Sequence, residues 1–508
     1  MKNRGIDFHD VSYTYEDASR PLLQAISCRF AAGWTGIVGA NGCGKTTLLK
    51  LATGLLEPLA GRITGAGGAI YCEQRTDEVP PLLEELVRAT DPEACEIRGN
   101  LQIGTDWPER WGVLSHGERK RCQIAVILWR NPDVLAVDEP TNHLDTEARW
   151  LLAGALSSFR GIGLLVSHDR ELIDELCDRC LFLDPPDSNM RPGGYSDGVR
   201  EAERERESLQ RAHRGARVAR KKLEREVSTR RREAARADAR RSKRGLARKD
   251  RDGREKVGRA RNTGKDAIAG KLSRQLEGRL RQTRDRQDRL RVKKEHAAGI
   301  RLPGGQSQRD ALFRIEAGVL ELGGGGRTLR LPELVMRPND RIALTGPNGA
   351  GKSTLVRRID GSLNLPEGRV TYIPQEIDRA AAHSILERAR ELSSALLGTT
   401  MNVVSRLGSR PHRILESLEP SPGETRKLLL AMGIAQEPHL IIMDEPTNHM
   451  DLISIECLED ALDECSCGLL LVSHDIRFLR RLTATRWQIT RDKQAGDAFV
   501  LRESYRDG

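Results

Sequence analysis

The apolar positions of this chain fall into short runs that stop abruptly at polar residues able to do chemistry. Thr35–Val38 and Ile342–Thr345 lead into glycine-rich loops, and Val134–Val137 and Leu440–Met443 stop at paired carboxylates. Leu164–Val166 and Leu469–Val472 stop at Ser-His-Asp. Runs this short and this uniformly apolar predict strands buried on both faces. Ala69–Cys72 and Val370–Ile373 read as further β-like runs, and Thr47–Ala52 and Thr354–Ile359 predict the start of helices after the glycine loops. Strands that alternate with helices and carry their chemistry at their C-terminal ends predict a mainly parallel α/β sheet.

Between these two sets the pattern changes. From Glu201 to about Arg240 there is no proline and one glycine, and Leu209, Ala212, Ala216, Ala219 and Leu223 recur at 3-4-3-4 spacing. Ile268, Leu272, Leu276 and Leu280 form a second stripe, and Arg241–Lys265 between them holds Gly245, Gly253, Gly258 and Gly264. The pattern predicts an antiparallel helical hairpin with a basic, glycine-bearing tip. A first helix of about forty residues would project roughly 60 Å. The expected boundaries are 1–190, 191–305 and 306–508, two α/β domains in tandem joined by the hairpin.

Charge sharpens this division. Of a formal net charge of +10, residues 201–300 carry 35 Lys+Arg against 16 Asp+Glu, while the rest of the chain is mildly acidic. A basic arm of this kind fits phosphate contacts with nucleic acid. No aromatic residue occurs from Ser196 to Leu312, which excludes base-stacking platforms there. The bland alternative is a solvated charged helix pair with Glu and Arg matched at i,i+4. No apolar run approaches the ~18 residues that cross a bilayer, and the N-terminus has no apolar signal segment, so a cytoplasmic protein is expected. The ten cysteines are scattered; Cys177 and Cys180 form one Cys-x-x-Cys pair within a pattern that reads as an amphipathic helix, and are expected to be small buried packing residues.

The decisive feature is an internal repeat. Asp138-Glu139-Pro140-Thr141-Asn142-His143-Leu144-Asp145 returns as Asp444-Glu445-Pro446-Thr447-Asn448-His449-Met450-Asp451. Each copy follows a Gly-x-x-x-x-Gly-Lys-Ser/Thr loop: 93 residues separate Lys45 from Asp138, and 92 separate Lys352 from Asp444. Such loops hold a triphosphate because glycine lets backbone N–H groups converge on its oxygens at a helix N-terminus. The candidate ATP contacts are Gly39, Asn41, Gly42, Gly44, Lys45, Thr46 and Thr47 in the first loop. In the second they are Gly346, Asn348, Gly349, Gly351, Lys352, Ser353 and Thr354. The metal set for Mg²⁺ is Thr46, Gln74 and Asp138 in one copy and Ser353, Gln375 and Asp444 in the other. Glu139 and Glu445 are the candidate bases that polarise the attacking water, with His168 and His474 reaching the γ-phosphate.

This series resembles the ATP-binding cassette family over roughly 1–190 and 306–508. Leu114-Ser115-His116-Gly117-Glu118 matches its signature loop with His in place of the usual first Gly, and Pro420-Ser421-Pro422-Gly423-Glu424 is a second copy without the leading Leu. The resemblance implies that two cassettes pair head to tail within a monomer. Ser421, Gly423 and Glu424 would then belong to the site of Lys45, and Ser115, Gly117 and Glu118 to that of Lys352. Tyr15 lies where the family often stacks an aromatic on adenine, although a core strand aromatic is an equal reading; Leu322 stands at the matching offset in the second copy.

The wording Glu-Pro-Thr-Asn-His-Leu/Met-Asp, with Gly193-Gly194-Tyr195-Ser196-Asp197 after the first cassette, resembles the ABC-F subfamily of twin-cassette proteins. This implies an ATPase that binds the ribosome near the tRNA exit site and touches large-subunit rRNA and P-site tRNA through its linker tip. Arg241, Lys243, Arg244, Arg248 and Lys249 are the candidate RNA contacts. A long linker is expected to favour ribosome protection and antibiotic resistance. A general translation role, a DNA-binding or repair ATPase, and the motor subunit of a transporter remain as alternatives.

Overall fold

The computed structural model describes all residues except 1–4, 17–19, 66, 143, 242–274, 286–304, 306, 324–326, 364, 367, 410, 417–420, 449, 493–497 and 506–508. It divides into two compact units, one formed by Met1–Gly198 with Ala298–Gly508, the other by Val199–Ala297.

In the first unit the repeat is visible as two equivalent sheets. In the N-terminal half the strands lie in the order Ala69–Cys72, Val134–Asp138, Ile162–Val166, Gly33–Gly39, Arg179–Asp184, Asp187–Pro192. All are parallel except the last pair. The C-terminal half repeats this with Val370–Ile373, Leu440–Asp444, Gly468–Val472, Arg341–Thr345, Thr485–Arg491 and Ala498–Tyr505. Its sheet continues through Thr328–Leu331 and Gly318–Glu321. The strands ending at the carboxylates and at Ser-His-Asp are buried at every position, which is why they read as unbroken apolar runs.

Three antiparallel strands, Gly5–Tyr13, Leu23–Ala31 and Ala60–Thr64, form a separate sheet that leaves no short apolar runs in the sequence. Their alternating burial is the pattern of strands with one wet face. Phe8, Phe30, Leu23 and Ile26 from this sheet share one core with Leu48, Leu49 and Leu51 of the helix Lys45–Ala52 and with Val134, Leu164 and Leu181. That shared core fixes the helix, and with it the glycine loop, over the sheet's carboxyl edge.

Several sequence expectations shift. Both post-loop helices begin two residues earlier than expected, at Lys45 and Lys352, because Gly44 (φ 102°) and Gly351 (φ 93°) supply the left-handed turn that starts them. Cys177 caps the helix Arg170–Leu176, and Cys180 lies in a strand, so the pair does not share a helix. Both thiols are nevertheless buried against Gly36, where burial pushes them up from their ordinary range.

The two halves meet through charged side chains on the first unit's interior. Arg170 forms a bidentate pair with Glu459, both buried, and reaches Asp475 at 3.3 Å. Arg477 pairs with Asp174 at 2.6 Å and donates to Ser196 Oγ, while the Tyr195 hydroxyl donates to Glu456 at 2.7 Å.

The second unit contains most of the helix Tyr195–Arg241 and a helical segment over 275–285. Arg284 bonds Glu224 at 3.0 Å and Arg231 bonds Glu277 at 2.7 Å, an antiparallel register between the two helices. Part of the expected stripe forms the contact face: Ala216 and Leu276 are buried, joined by Val227, whereas Leu209, Ala212 and Ala219 face solvent. Alanine and exposed leucine mark that face poorly in a helix dominated by Arg and Glu. Lys243, Arg244, Arg248 and Lys249 lie outside the described residues, and Arg241 closes the first helix. Among the described residues no helix is long and apolar enough to cross a membrane.

Arg170→Met should destabilise the first unit by about 2–3 kcal/mol in urea unfolding, because it strands a buried carboxylate. The loss stays at the low end because Arg481 still reaches Glu459 at 3.2 Å.

Candidate functional site

At the carboxyl edge of each sheet, three neighbouring parallel strands deliver the glycine loop, the paired carboxylates and the histidine to one place. Asp138 lies opposite Val166 in register, and Asp444 opposite Val472, so Glu139 and Glu445 begin the turns beside His168 and His474. Both glutamates hold a left-handed backbone (φ 46° and 48°), and their amides donate to Val166 O and Val472 O at 2.8 Å. Such backbone is costly for a non-glycine residue and persists where the surroundings enforce it.

In the first half Lys45 Nζ donates to Gly39 O (2.9 Å) and Ala40 O (3.1 Å), and Thr46 Oγ1 donates to Asp138 Oδ2 (2.8 Å). Lys352 repeats this with Gly346 O (2.8 Å) and Pro347 O (3.2 Å), and Ser353 bonds Asp444. Gln74 and Gln375 line the corresponding cavities. A hydroxyl and carboxylate in contact at the foot of a phosphate loop, with an amide side chain beside them, is a hard-oxygen donor set suited to Mg²⁺.

The glutamates are the electrostatically unusual groups. Burial raises each carboxyl to about 8, opposed by Lys45 in one case and Lys352 in the other. His168 N donates to Glu139 Oε2 at 3.1 Å, and His474 N to Glu445 Oε2 at 3.3 Å. Burial, reinforced by Lys352, lowers His474 to about 3, so it contacts Glu445 as a neutral ring. A carboxyl near 8 beside a neutral imidazole suits a general base for water.

Ser115 caps the helix His116–Trp129 and Ser421 caps Pro422–Ala435, each in a capping box with the glutamate three residues on. The carboxylates of Glu118 and Glu424 are thereby committed to the serines: Glu118 Oε2 accepts from Ser115 N and Oγ, both at 2.7 Å. Proline is tolerated at position 422 because the first turn needs no N–H donor.

A cavity of about 730 Å³ brings Ser115, His116 and Gly117 opposite Asn348, Gly349, Gly351, Lys352, Ser353, Thr354, Asp444, Glu445 and His474. Among the described residues the other cavity, about 330 Å³, is walled by the first half: Asn41, Gly42, Gly44, Lys45, Thr46, Thr47, Gln74, Asp138, Glu139 and His168 take part, and Ser421 and Gly423 do not. The second half does reach this loop through Asp451, whose Oδ2 accepts from Asn41 N at 2.8 Å; Asp145 is 3.5 Å from Asn348 N. Tyr15 is 44 % exposed, which excludes the core reading, and its hydroxyl lies 3.0 Å from Thr47 Oγ1. Leu322 packs under Gly351 as Leu23 does under Gly44, and among the described residues no Phe, Tyr or Trp lines the larger cavity.

Sequence reasoning passed over four groups. Asp145 and Asp451 end the duplicated motif and make the crossing contacts. Tyr71, one residue before its strand's end, donates to Asp138 at 3.0 Å. Arg327 lines the larger cavity beside Gly349. Among these, only the repeated aspartates carried a signal.

Two phosphate loops, each beside a carboxylate pair and one of them faced by a capped helix of the other half, define a twin-cassette ATPase. The family model described as ABC transporter matches residues 23–142 and 330–448. The chain is 31% identical to the ATP-binding protein Uup of Caulobacter vibrioides, over 92% of this chain and 75% of that one. It is 29% identical to the tylosin resistance ATP-binding protein TlrC of Streptomyces fradiae, over 95% and 97% of the two chains. It is 28% identical to the ribosome protection protein VmlR of Bacillus subtilis, over 95% and 87%. Among solved structures, the archaeal ribosome recycling factor bound to a stalk protein superposes with a TM-score of 0.61 at 18% identity, covering 97% of this chain and 89% of that one; this likeness speaks for the fold alone. The chain belongs to the ATP-binding cassette family, in its ABC-F branch, and its cassettes bind and hydrolyse ATP.

The raised carboxyls set the pH behaviour. Turnover at low ATP should rise with pH through about 8, as Glu139 and Glu445 ionise and become able to accept a proton, measured as kcat/KM. Folding raises these carboxyls from 4.5, so the folded state binds more protons and their burial costs stability increasingly between pH 4.5 and about 8. Glu139→Gln with Glu445→Gln should therefore raise the Tm at pH 8 and change it little at pH 4.5.

Proposed function

We propose that this protein is a ribosome-binding ATPase of the protection type, which uses ATP-driven cassette closure to place its basic linker near the tRNA exit site. The observation that carries this reading is the strongly basic helical unit inserted between two ATPase cassettes. The near full-length similarity to relatives named for ribosome protection and tylosin resistance supports it. The linker tip, with Arg241, Lys243, Arg244, Arg248 and Lys249, acts on large-subunit rRNA and P-site tRNA through phosphate contacts.

In this reading each ATP is held between one cassette's phosphate loop and the other's signature. The loop amides and Lys45 or Lys352 bind the β- and γ-phosphates. Mg²⁺ would be held by Thr46, Gln74 and Asp138, or by Ser353, Gln375 and Asp444, and supplies neutralising charge at the phosphate oxygens. Glu139 and Glu445 take a proton from the attacking water, and His168 and His474 hold the γ-phosphate. Ser115 and Gly117, or Ser421 and Gly423, bind the same phosphate from across the interface, so ATP draws the cassettes together. Hydrolysis removes that bridge and releases the ribosome.

Glu139→Gln with Glu445→Gln should trap the closed state, so the double variant with ATP co-sediments with ribosomes and competing duplex DNA does not displace it. Failure to co-sediment, or preference for DNA, overturns the reading. Expression in a drug-sensitive host should confer resistance to inhibitors of the large ribosomal subunit, and the same Glu→Gln pair should abolish it. Ribosome binding without resistance would instead assign a general translation role.

A further inference from the structure

The larger cavity contains a side chain that the phosphate site as described does not use. His116 is the first residue of the helix His116–Trp129, directly after the capping Ser115, and it lines the cavity opposite Lys352 and Gly349. Its counterpart across the repeat is Pro422, which has no N–H, and the smaller cavity receives nothing from that signature. We propose that the His116 imidazole is an additional γ-phosphate ligand of the Lys352 site, making that site the tighter and more triphosphate-selective of the two. The inference rests on the composite-site reading above.

The physical case is one of charge and donor supply. A helix N-terminus binds phosphate through its amides and its dipole, but a carboxylate in the same turn opposes it. Here that carboxylate is Glu118, held close by its bonds to Ser115 N and Oγ. An imidazole at the helix's first position retains the backbone N–H and adds a ring donor of its own. It therefore offsets Glu118 where the γ-phosphate arrives. In the composite reading the Lys45 site would meet Pro422 in this role, so it would lose one amide and gain no ring donor, although Glu424 occupies the same capping position. ADP lacks the group that His116 would touch, so the effect must separate the two nucleotides.

The test isolates one site at a time in the full chain and titrates MgATP and MgADP by calorimetry. With Lys45→Ala silencing the first site, His116→Ala and His116→Gly should each weaken ATP by at least about fivefold while leaving ADP unchanged. His116→Gln, which keeps a donor, should recover part of the loss. With Lys352→Ala silencing the second site instead, the same exchanges should leave ATP binding at the first unchanged. Ser115→Ala distinguishes the two levels of the argument. If it weakens ATP selectively while both His116 variants do not, His116 is not a ligand and the composite site stands. Equal loss of ATP and ADP in both His116 variants also overturns the proposal, because it marks a structural role. If Ser115→Ala has no effect, the composite site fails and the inference fails with it.

Discussion

Burying two carboxyls at the feet of the phosphate loops is the constraint around which the first unit is arranged. Glu139 and Glu445 lie at the ends of strands buried at every position, beside a lysine that burial and loop carbonyls hold in place. Full exposure to solvent would return both to the ordinary carboxylate range, because burial is the largest cause of their raised values. The left-handed turn at each glutamate and the packed sheet beneath keep it buried, while the histidine amide on its Oε2 favours the ionised form and opposes that burial. The fold is stable enough to hold these costs because the sheet core beneath each site is continuous with the glycine-loop helix.

Much of this was legible in the chain, for identifiable reasons. Strands buried on both faces leave unbroken apolar runs, so Val134–Asp138 and Leu440–Asp444 could be read to within a residue. A phosphate loop leaves a rigid glycine grammar, because Gly44 and Gly351 must be left-handed. What escaped was tertiary. Tyr71 reaches Asp138 across neighbouring strands, and Arg170 meets Glu459 across the two halves; nothing local marks either pairing. The half-wet strands at the N-terminus escaped because their alternation is weak once bulges interrupt it. In the linker, a helix face made largely of Ala among Arg and Glu gave a stripe that contains the buried Ala216 and Leu276 but misses Val227.

The two cassettes share a grammar without sharing a surface. The first has Tyr15 tied to Thr47, whereas in the second Leu322 takes the place of Leu23 and Arg327 lines the cavity; the first signature carries His116 where the second carries Pro422. The charges that bind the halves are just as uneven. Helix Leu452–Asp463 carries Glu456 and Glu459, each engaged across the interface, while Thr146–Ser157 presents Trp150 to solvent. Duplication supplied two copies, and each copy then met a different neighbour.

Arg170 stands two residues after His168, and its guanidinium is held by Glu459 and Asp475 of the opposite cassette, the latter next to His474. The two histidine loops are therefore coupled through one shared pair of carboxylates. A shift of either loop loads the same Arg170–Asp475 contact, so the fold gives the two sites one shared joint instead of two separate ones.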